Sequence, residues 1–452
     1  MTRTPLPHRF PGGLFDAVAA GGGGAEALTL LARAEHSRRL AVMHAATTAA
    51  RGAGGAVAQE AERAWELLVE ARRAAPGAVD AALTHPSAGP ALFGLLARLA
   101  RPTQDPPPVH WFTALAAAAA VRAGLPARVR WRVAGPWVAL PSLGRAHVPG
   151  LRPGGHAELR VDAGGRATIG ATVAHAARGP VAVPHGPYGT GDRWRGAHLL
   201  ATLDTGAELA LDTLDPPAFP RAAGRPEGPG PNETRRWAVE ARDACRMLRT
   251  DHPEVYEELA AGPRLLVPLS GTGRGVVSGS NAETFGCVAL SPPPTTAKFA
   301  VTLAHEMQHN KLAGMLHLFD LFEAGGEELY YAPWRPDPRP LLGLFHGAYA
   351  HMGVAQFWGR HSGTEPDPAL RANAHIQFAR WRSAAREATL VLLGSGRLTA
   401  LGERFAGRML ETLDALCRAP VPAPAVRHAE SAARAHRTAW QDAAGKTRVL
   451  PV

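Results

Sequence analysis

The 452-residue chain has three cysteines, Cys245, Cys287 and Cys417, far apart and without a Cys-x-x-Cys pair. That excludes a disulfide framework and a cysteine zinc site, and it suits a reducing cytosol. Lysine is as scarce: of 49 basic residues only Lys298, Lys311 and Lys446 are lysine. The net charge of +10 is therefore spread over scattered arginines. No basic stripe interleaved with aromatics occurs, so no nucleic-acid partner is expected. There is no run of about 18 uncharged apolar residues, so no membrane span is expected. The alanine-rich run Ala114–Ala120 is too short and is followed by Arg122. The opening MTRTPLPHRFPGG has no apolar h-region, so no secretory signal is expected and the expected location is cytoplasmic. No internal repeat is present.

What is there is apolar periodicity, and its period changes along the chain. Residues 1–24 read as a lead segment ending in a flexible run, Gly21–Gly24. Over residues 25–125 the spacing is helical, as in Leu28, Leu31, Ala34 and later Leu40 and Met43. At Arg128–Val133 polar and apolar residues alternate, the mark of a half-buried strand. Residues 126–222 therefore read as a β-rich region. A Pro/Gly stretch, 221–231, leads to residues 232–364, which carry the decisive motif. Within them 233–249 reads as a helix, 264–269 and 285–290 as strands, and a further helix opens at Thr295 or Thr296. Residues 365–452 read as a helical tail broken at 420–424. The expected fold is α+β and predominantly helical, with a metal site between two helices and a β-rich middle.

The motif is His305-Glu306-Met307-Gln308-His309, or HExxH. On a helix, positions i and i+4 share one face, so two imidazoles can hold one metal ion. Glu306 between them can reach a bound water or steady the ligands. The extended form of the motif would need Gly at 312 and His at 315; Leu312 and Met315 exclude it. Glu327 and Glu328 are candidate third ligands, but they sit in a Gly-Gly-Glu-Glu turn. His346 and His351 lie in a strongly patterned helix, LLGLFHGAYAHMGVAQFW. They are about 140° apart around it, so one ion takes only one of them. His346 is preferred because Gly347 beside it permits close approach of two helices; the alternative for each is a core histidine. Between the motifs runs YYAPWRPDPRP, whose four prolines make a stiff, extended rail. Arg335 and Arg339 on such a rail suit bidentate capture of a carboxylate, unless Asp337 pairs with them.

Three blocks in order, HEMQHNKL, YYAPWRPDPRP and LFHGAYAHMGVAQFW, resemble the HExxH-domain proteins found beside ribosomally made, modified peptides. That family is described as α-ketoglutarate-dependent HExxH-type peptide β-hydroxylases. The resemblance is strongest over about 285–360. The stretches ARAEHSRRLAVMHA and THPSAGPALFGLL are similar to the family's upstream region, and the β-rich middle resembles it more loosely. The resemblance implies that His305 and His309 bind Fe(II) and that a downstream histidine completes the site, with His346 and His351 both present. It also implies that an arginine, Arg335 or Arg339, holds 2-oxoglutarate. Glu306 and His351 would serve catalysis, O2 would be the second co-substrate, and the partner would be a ribosomal precursor peptide receiving a β-hydroxyl. Three protein ligands on a six-coordinate iron leave room for the 2-oxo acid and O2. The alternative is a zinc-dependent HExxH metallopeptidase that matures such a peptide, with Glu306 as general base for water.

Overall fold

The computed structural model of the chain describes residues 8–101, 110–172, 179–212, 228–270, 276–323 and 325–444. The fold is α+β and predominantly helical; thirteen α-helices and fourteen strands occur among the described residues. Contacts group it into two compact units. One combines Met1–Ala34, Glu240–Pro263 and Pro293–Val452; the other combines Glu35–Val239 and Arg264–Pro292. Each is discontinuous, a feature that composition along the chain does not carry. Among the described residues no single helix is long and apolar enough to cross a membrane.

The chain opens with α1 (Gly12–Ala19), α2 (Gly24–Ala53), α3 (Gly55–Ala74), α4 (Pro76–Thr84), α5 (Ala88–Leu99) and α6 (His110–Ala123). In α3 the buried residues Val57, Ala61, Ala64, Leu68 and Ala71 recur every three to four positions, which gives one apolar face. Pro76 opens α4 at its first turn, where the missing N–H costs nothing. By contrast α6 is buried from Phe112 to Val121, as a central helix must be, and packs against α3, α4, α5 and the first strand.

That strand, β1 (Ala127–Arg132), realises the Arg128–Val133 alternation. Then come β2 (Trp137–Leu140), β3 (Gly144–His147), β4 (His156–Val161), β5 (Ala167–Ala171), β6 (Val181–Val183), β7 (Trp194–Arg195), β8 (His198–Thr202) and β9 (Glu208–Leu211). One antiparallel sheet runs β1-β4-β5-β6, with Trp131 opposite Ala157 and Leu159 opposite Ile169. A second runs β2-β3-β7. Their inner faces form one core with Ala117, Ala118 and Val121 of α6. After α7 (Pro231–Asp251) and α8 (Pro253–Ala261), β10 (Leu265–Pro268), β11 (Ser278–Gly279) and β12 (Cys287–Leu290) join β8 and β9 in a mixed sheet of order β11-β12-β10-β9-β8. Buried Arg39 of this unit donates to the carbonyls of Leu83, Thr84, His85 and Phe285. The Pro/Gly stretch 221–231 and the Ser270–Ser280 loop lie partly outside the described residues.

The other unit is built around α9 (Thr296–Leu318) and α10 (Leu341–Thr364), joined by a ribbon of β13 (Leu329–Tyr330) and β14 (Arg339–Pro340). It ends in α11 (Pro368–Gly394), α12 (Ala400–Arg418) and α13 (Ala423–Ala444). Helix α10 is its centre and packs on α9, α11 and α12. Phe345 and Tyr349 of α10 meet Phe405 of α12 at ring distances of 5.5 and 5.3 Å. Two expectations are corrected here. The proline segment is not an extended rail: its ends pair antiparallel, Leu329 with Pro340 and Tyr330 with Arg339, because ladder bonds close it into a loop. Nor is Gly21–Gly24 a loose connector. It is a turn with φ of +92° at Gly21 and +103° at Gly23, conformations that favour glycine. Buried Lys311 donates to the Gly21 and Gly22 carbonyls and to Glu258 at 2.7–2.9 Å. Gln308 and Gln356 donate to the carbonyls of Gly21 and Ala20.

Candidate metal centre

Helix α9 starts where Thr295 accepts a hydrogen bond from the Lys298 backbone N–H at 3.2 Å, an N-cap that satisfies one open donor. Ten residues on, its face turns to α10. The close approach is made at Gly353, where a Cβ would lie 2.6 Å from the Gln308 side chain. Gly347, the residue expected to permit helix contact, instead makes room for Trp334: a Cβ there would lie 2.1 Å from the indole.

His305 and His309 bring their Nε2 atoms to 3.1 Å of each other. Two nitrogens bound to one ion at about 2.0–2.1 Å with near-tetrahedral angles stand about 3.3 Å apart, so the pair has the spacing of a shared ion. The Glu306 carboxylate, buried, lies 3.9 Å from His305 Nε2. Among the described residues His305, Glu306 and His309 form the one group whose ligand atoms all lie within 4.8 Å.

The two downstream histidines approach from α10 on different sides. His346 Nδ1 lies 3.4 Å from His309 Nδ1, the ring nitrogen opposite the one that faces His305. His351 sets its ring edge-on to His305, with centroids 5.1 Å apart. Its Nδ1 is 2.8 Å from the Gly347 carbonyl. A carbonyl only accepts, so Nδ1 carries the proton and Nε2 keeps the lone pair. Trp334 stacks on this ring at 4.6 Å and 15°, and Trp381 of α11 lies against it at 4.6 Å.

Burial keeps these imidazoles neutral. It lowers the pKa of His305, and drives that of His309 well below the ordinary value with help from His305, His346 and His351. Burial also brings His346 down to about 4 and His351 to about 3. Neutral imidazoles that face one another present lone pairs rather than charges. That donor set fits a divalent transition metal.

The remaining sequence candidates stand elsewhere. Glu327 and Glu328 are exposed, and Glu328 lies 3.8 Å from Arg397. Arg335 bonds Asp337 at 3.0 Å on the surface, and Arg339 lies 3.8 Å from the same carboxylate with its guanidinium against Gly343. The segment thus brings Trp334 to the histidines, while both arginines share Asp337. Sequence reasoning missed Trp334 and Trp381. A tryptophan in a proline loop was the only available signal; α11 is brought to the site by tertiary packing alone. Compared with known proteins, the chain is matched by no family model and by no curated protein.

Proposed function

We propose that this chain is an Fe(II)- and 2-oxoglutarate-dependent hydroxylase that adds a β-hydroxyl to a side chain of a ribosomally made precursor peptide. The observation that carries the reading is the convergence of neutral imidazoles across α9 and α10, with His305 and His309 Nε2 atoms 3.1 Å apart and His351 beside them. The family resemblance of the three sequence blocks supplies the choice of iron and co-substrate. His305 and His309 would hold the ion. His351 would be the third ligand, because its Nδ1–H is committed to Gly347 and its Nε2 is left as a donor. His346, at the far nitrogen of His309, would orient that ring. Bound iron supplies activation of O2 coupled to decarboxylation of 2-oxoglutarate to succinate and CO2, one oxygen atom going to the substrate carbon.

The chain's own residues prepare that step. Trp334 and Trp381 clamp the His351 ring, which fixes its tilt and keeps bulk water from its faces. Buried Glu306 beside His305 steadies the first pair of ligands. A second reading, a zinc peptidase, is favoured by that same carboxylate, which would act as general base.

The experiment is anaerobic loading with Fe(II), followed by 2-oxoglutarate, O2 and a candidate precursor peptide. The expected products are succinate and a peptide heavier by one oxygen, about 16 Da, with the oxygen drawn from O2. Cleaved peptide carrying oxygen from water, formed without 2-oxoglutarate, would replace the hydroxylase by the peptidase.

A further inference from the structure

Strand β1 (Ala127–Arg132) is the outermost member of its sheet. β4 is bonded along one side, and among the described residues no strand is bonded along the other. Alternation decides what that open edge presents. Along the β4 segment the even-numbered residues serve β5: the Asp162 N–H donates to the Arg166 carbonyl, and the His156 carbonyl accepts from the Thr172 N–H. Val161, Leu159 and Ala157 therefore serve β1, where they stand opposite Ala127, Val129 and Trp131. The backbone N–H and C=O groups left for the open edge are those of Arg128, Arg130 and Arg132. The side chains of these three are exposed on the outer face of the sheet, while Trp131 is buried and Val129 packs on the core.

This edge opens on a trough rather than on bulk water. A cavity of about 900 Å³ is lined by every residue of β1 and by α3, all within one compact unit. Its apolar lining comes from Val57, Ala64 and Leu67 of α3 and from Val129 and Trp131 of β1. Glu60 in the wall is held by Thr113, whose hydroxyl donates to it at 2.9 Å. On the helix side Arg63, Glu66 and Glu70 give mixed charge, whereas the strand side is basic. Arg128 bonds Glu158 at 3.0 Å. Among the described residues Arg130 and Arg132 form no hydrogen bond or ion pair. Burial, and then the charges of these two arginines, lower the pKa of His156 beside them. A row of like charges keeps an open edge from pairing with copies of itself, and it selects a strand of opposite charge.

We infer that the β1 edge docks an extended peptide segment of another chain as a fifth, antiparallel strand, with acidic residues at alternate positions and apolar residues between them. Acidic side chains opposite Arg128, Arg130 and Arg132 lie on the outer face, within cross-strand reach of the guanidinium groups. The intervening apolar side chains fall on the face of Val129 and Trp131, toward the apolar lining from α3. Only the amides of the acidic residues point at β1. In an antiparallel pair, a residue opposite one that bonds outward exchanges both hydrogen bonds with it, and the next residue exchanges none. The inference does not rest on the proposed function.

The test is fluorescence anisotropy with the full-length chain and a labelled probe, Gly-Glu-Val-Glu-Val-Glu-Gly. A block-permuted peptide, Gly-Glu-Glu-Glu-Val-Val-Gly, has the same composition and charge. Two further peptides carry N-methyl groups, on the glutamates in one and on the valines in the other. Expected is saturable binding of the alternating probe that weakens as salt rises. The permuted and glutamate-methylated peptides should bind at least about tenfold more weakly, and the valine-methylated one nearly as well as the probe. An Arg130→Glu, Arg132→Glu chain should lose about tenfold or more for the probe and prefer Gly-Lys-Val-Lys-Val-Lys-Gly. Circular dichroism and the thermal midpoint report its folding; should it unfold, Arg130→Gln, with a smaller loss, carries the test. No binding at about 1 mM, equal affinity for the permuted peptide, or indifference to which amides are methylated overturns the proposal. Binding of a labelled oligouridine through the same arginines, with none of the peptide, would make the face a nucleic-acid surface and overturns it as well.

Discussion

Histidines in the two units are solved in opposite ways. In the β-containing unit His85 has an oxygen at each ring nitrogen, Ser87 Oγ at 2.8 Å and Asp212 Oδ2 at 3.3 Å. Proton and lone pair are both accounted for, and the ring is a structural tie. In the helical unit the ring nitrogens of His305 and His309 face each other, and His309 faces His346. Each neutral imidazole brings one N–H and one lone pair, so such a nitrogen–nitrogen contact is closed either by one ring's N–H or by an ion between two lone pairs. Burial disfavours the further proton that would charge the rings, as the low pKa values of this cluster record. The lesson extends to the opposite face of α9, where Lys311 is fully buried yet has three oxygens within 2.9 Å. A buried polar group with all its partners marks architecture; one whose partners are its own kind marks a site.

The comparison breaks most sharply at His305. His305→Ala should cost more than about a hundredfold in metal affinity and abolish turnover; stoichiometric metal by elemental analysis in that variant would remove the site. Lys311→Met should be a pure stability lesion on the same helix. It leaves the Glu258 carboxylate buried without its cation, a loss of about 3–5 kcal/mol in denaturant unfolding, with metal stoichiometry kept in the folded fraction. A loss below about 1 kcal/mol would mean that the Gly21–Gly24 turn needs no clamp. Next in size is the contrast between the α10 histidines. His351→Ala should weaken metal binding more than His346→Ala, for which a loss of about tenfold is expected of a residue that only orients a ligand. The reverse order would hand the third position to His346.

The last contrast lies in pH dependence. His346 and His351 titrate at about 4 and about 3 in the folded chain, below the unfolded value of about 6.5. Between those limits the unfolded chain binds more protons. The stabilisation is therefore complete above about pH 6.5 and is lost as pH falls toward 4 and 3. The urea midpoint of the metal-free protein should drop between pH 7 and pH 5, and a His346→Asn, His351→Asn variant should show a shallower drop. An identical slope in the two proteins would exclude these histidines as its source.

What the residues alone determined is local. Spacing of four places two imidazoles on one helix face, and alternation at Arg128–Val133 makes a strand. Threonine followed by an apolar run begins α9 at Thr295, because each follows from geometry within a turn or two. What only tertiary structure decided depends on contacts between distant stretches. Gly347 serves Trp334 and not a helix, the proline segment closes as a ribbon, and its arginines go to Asp337 while Trp334 goes to His351. The glycines at 21–24 become a turn only because Lys311, almost 290 residues later, has carbonyls to bind there. Trp381 reaches His351 because α11 packs along α10. Side-chain direction and long-range packing set these outcomes, and neither has a period that a sequence can display.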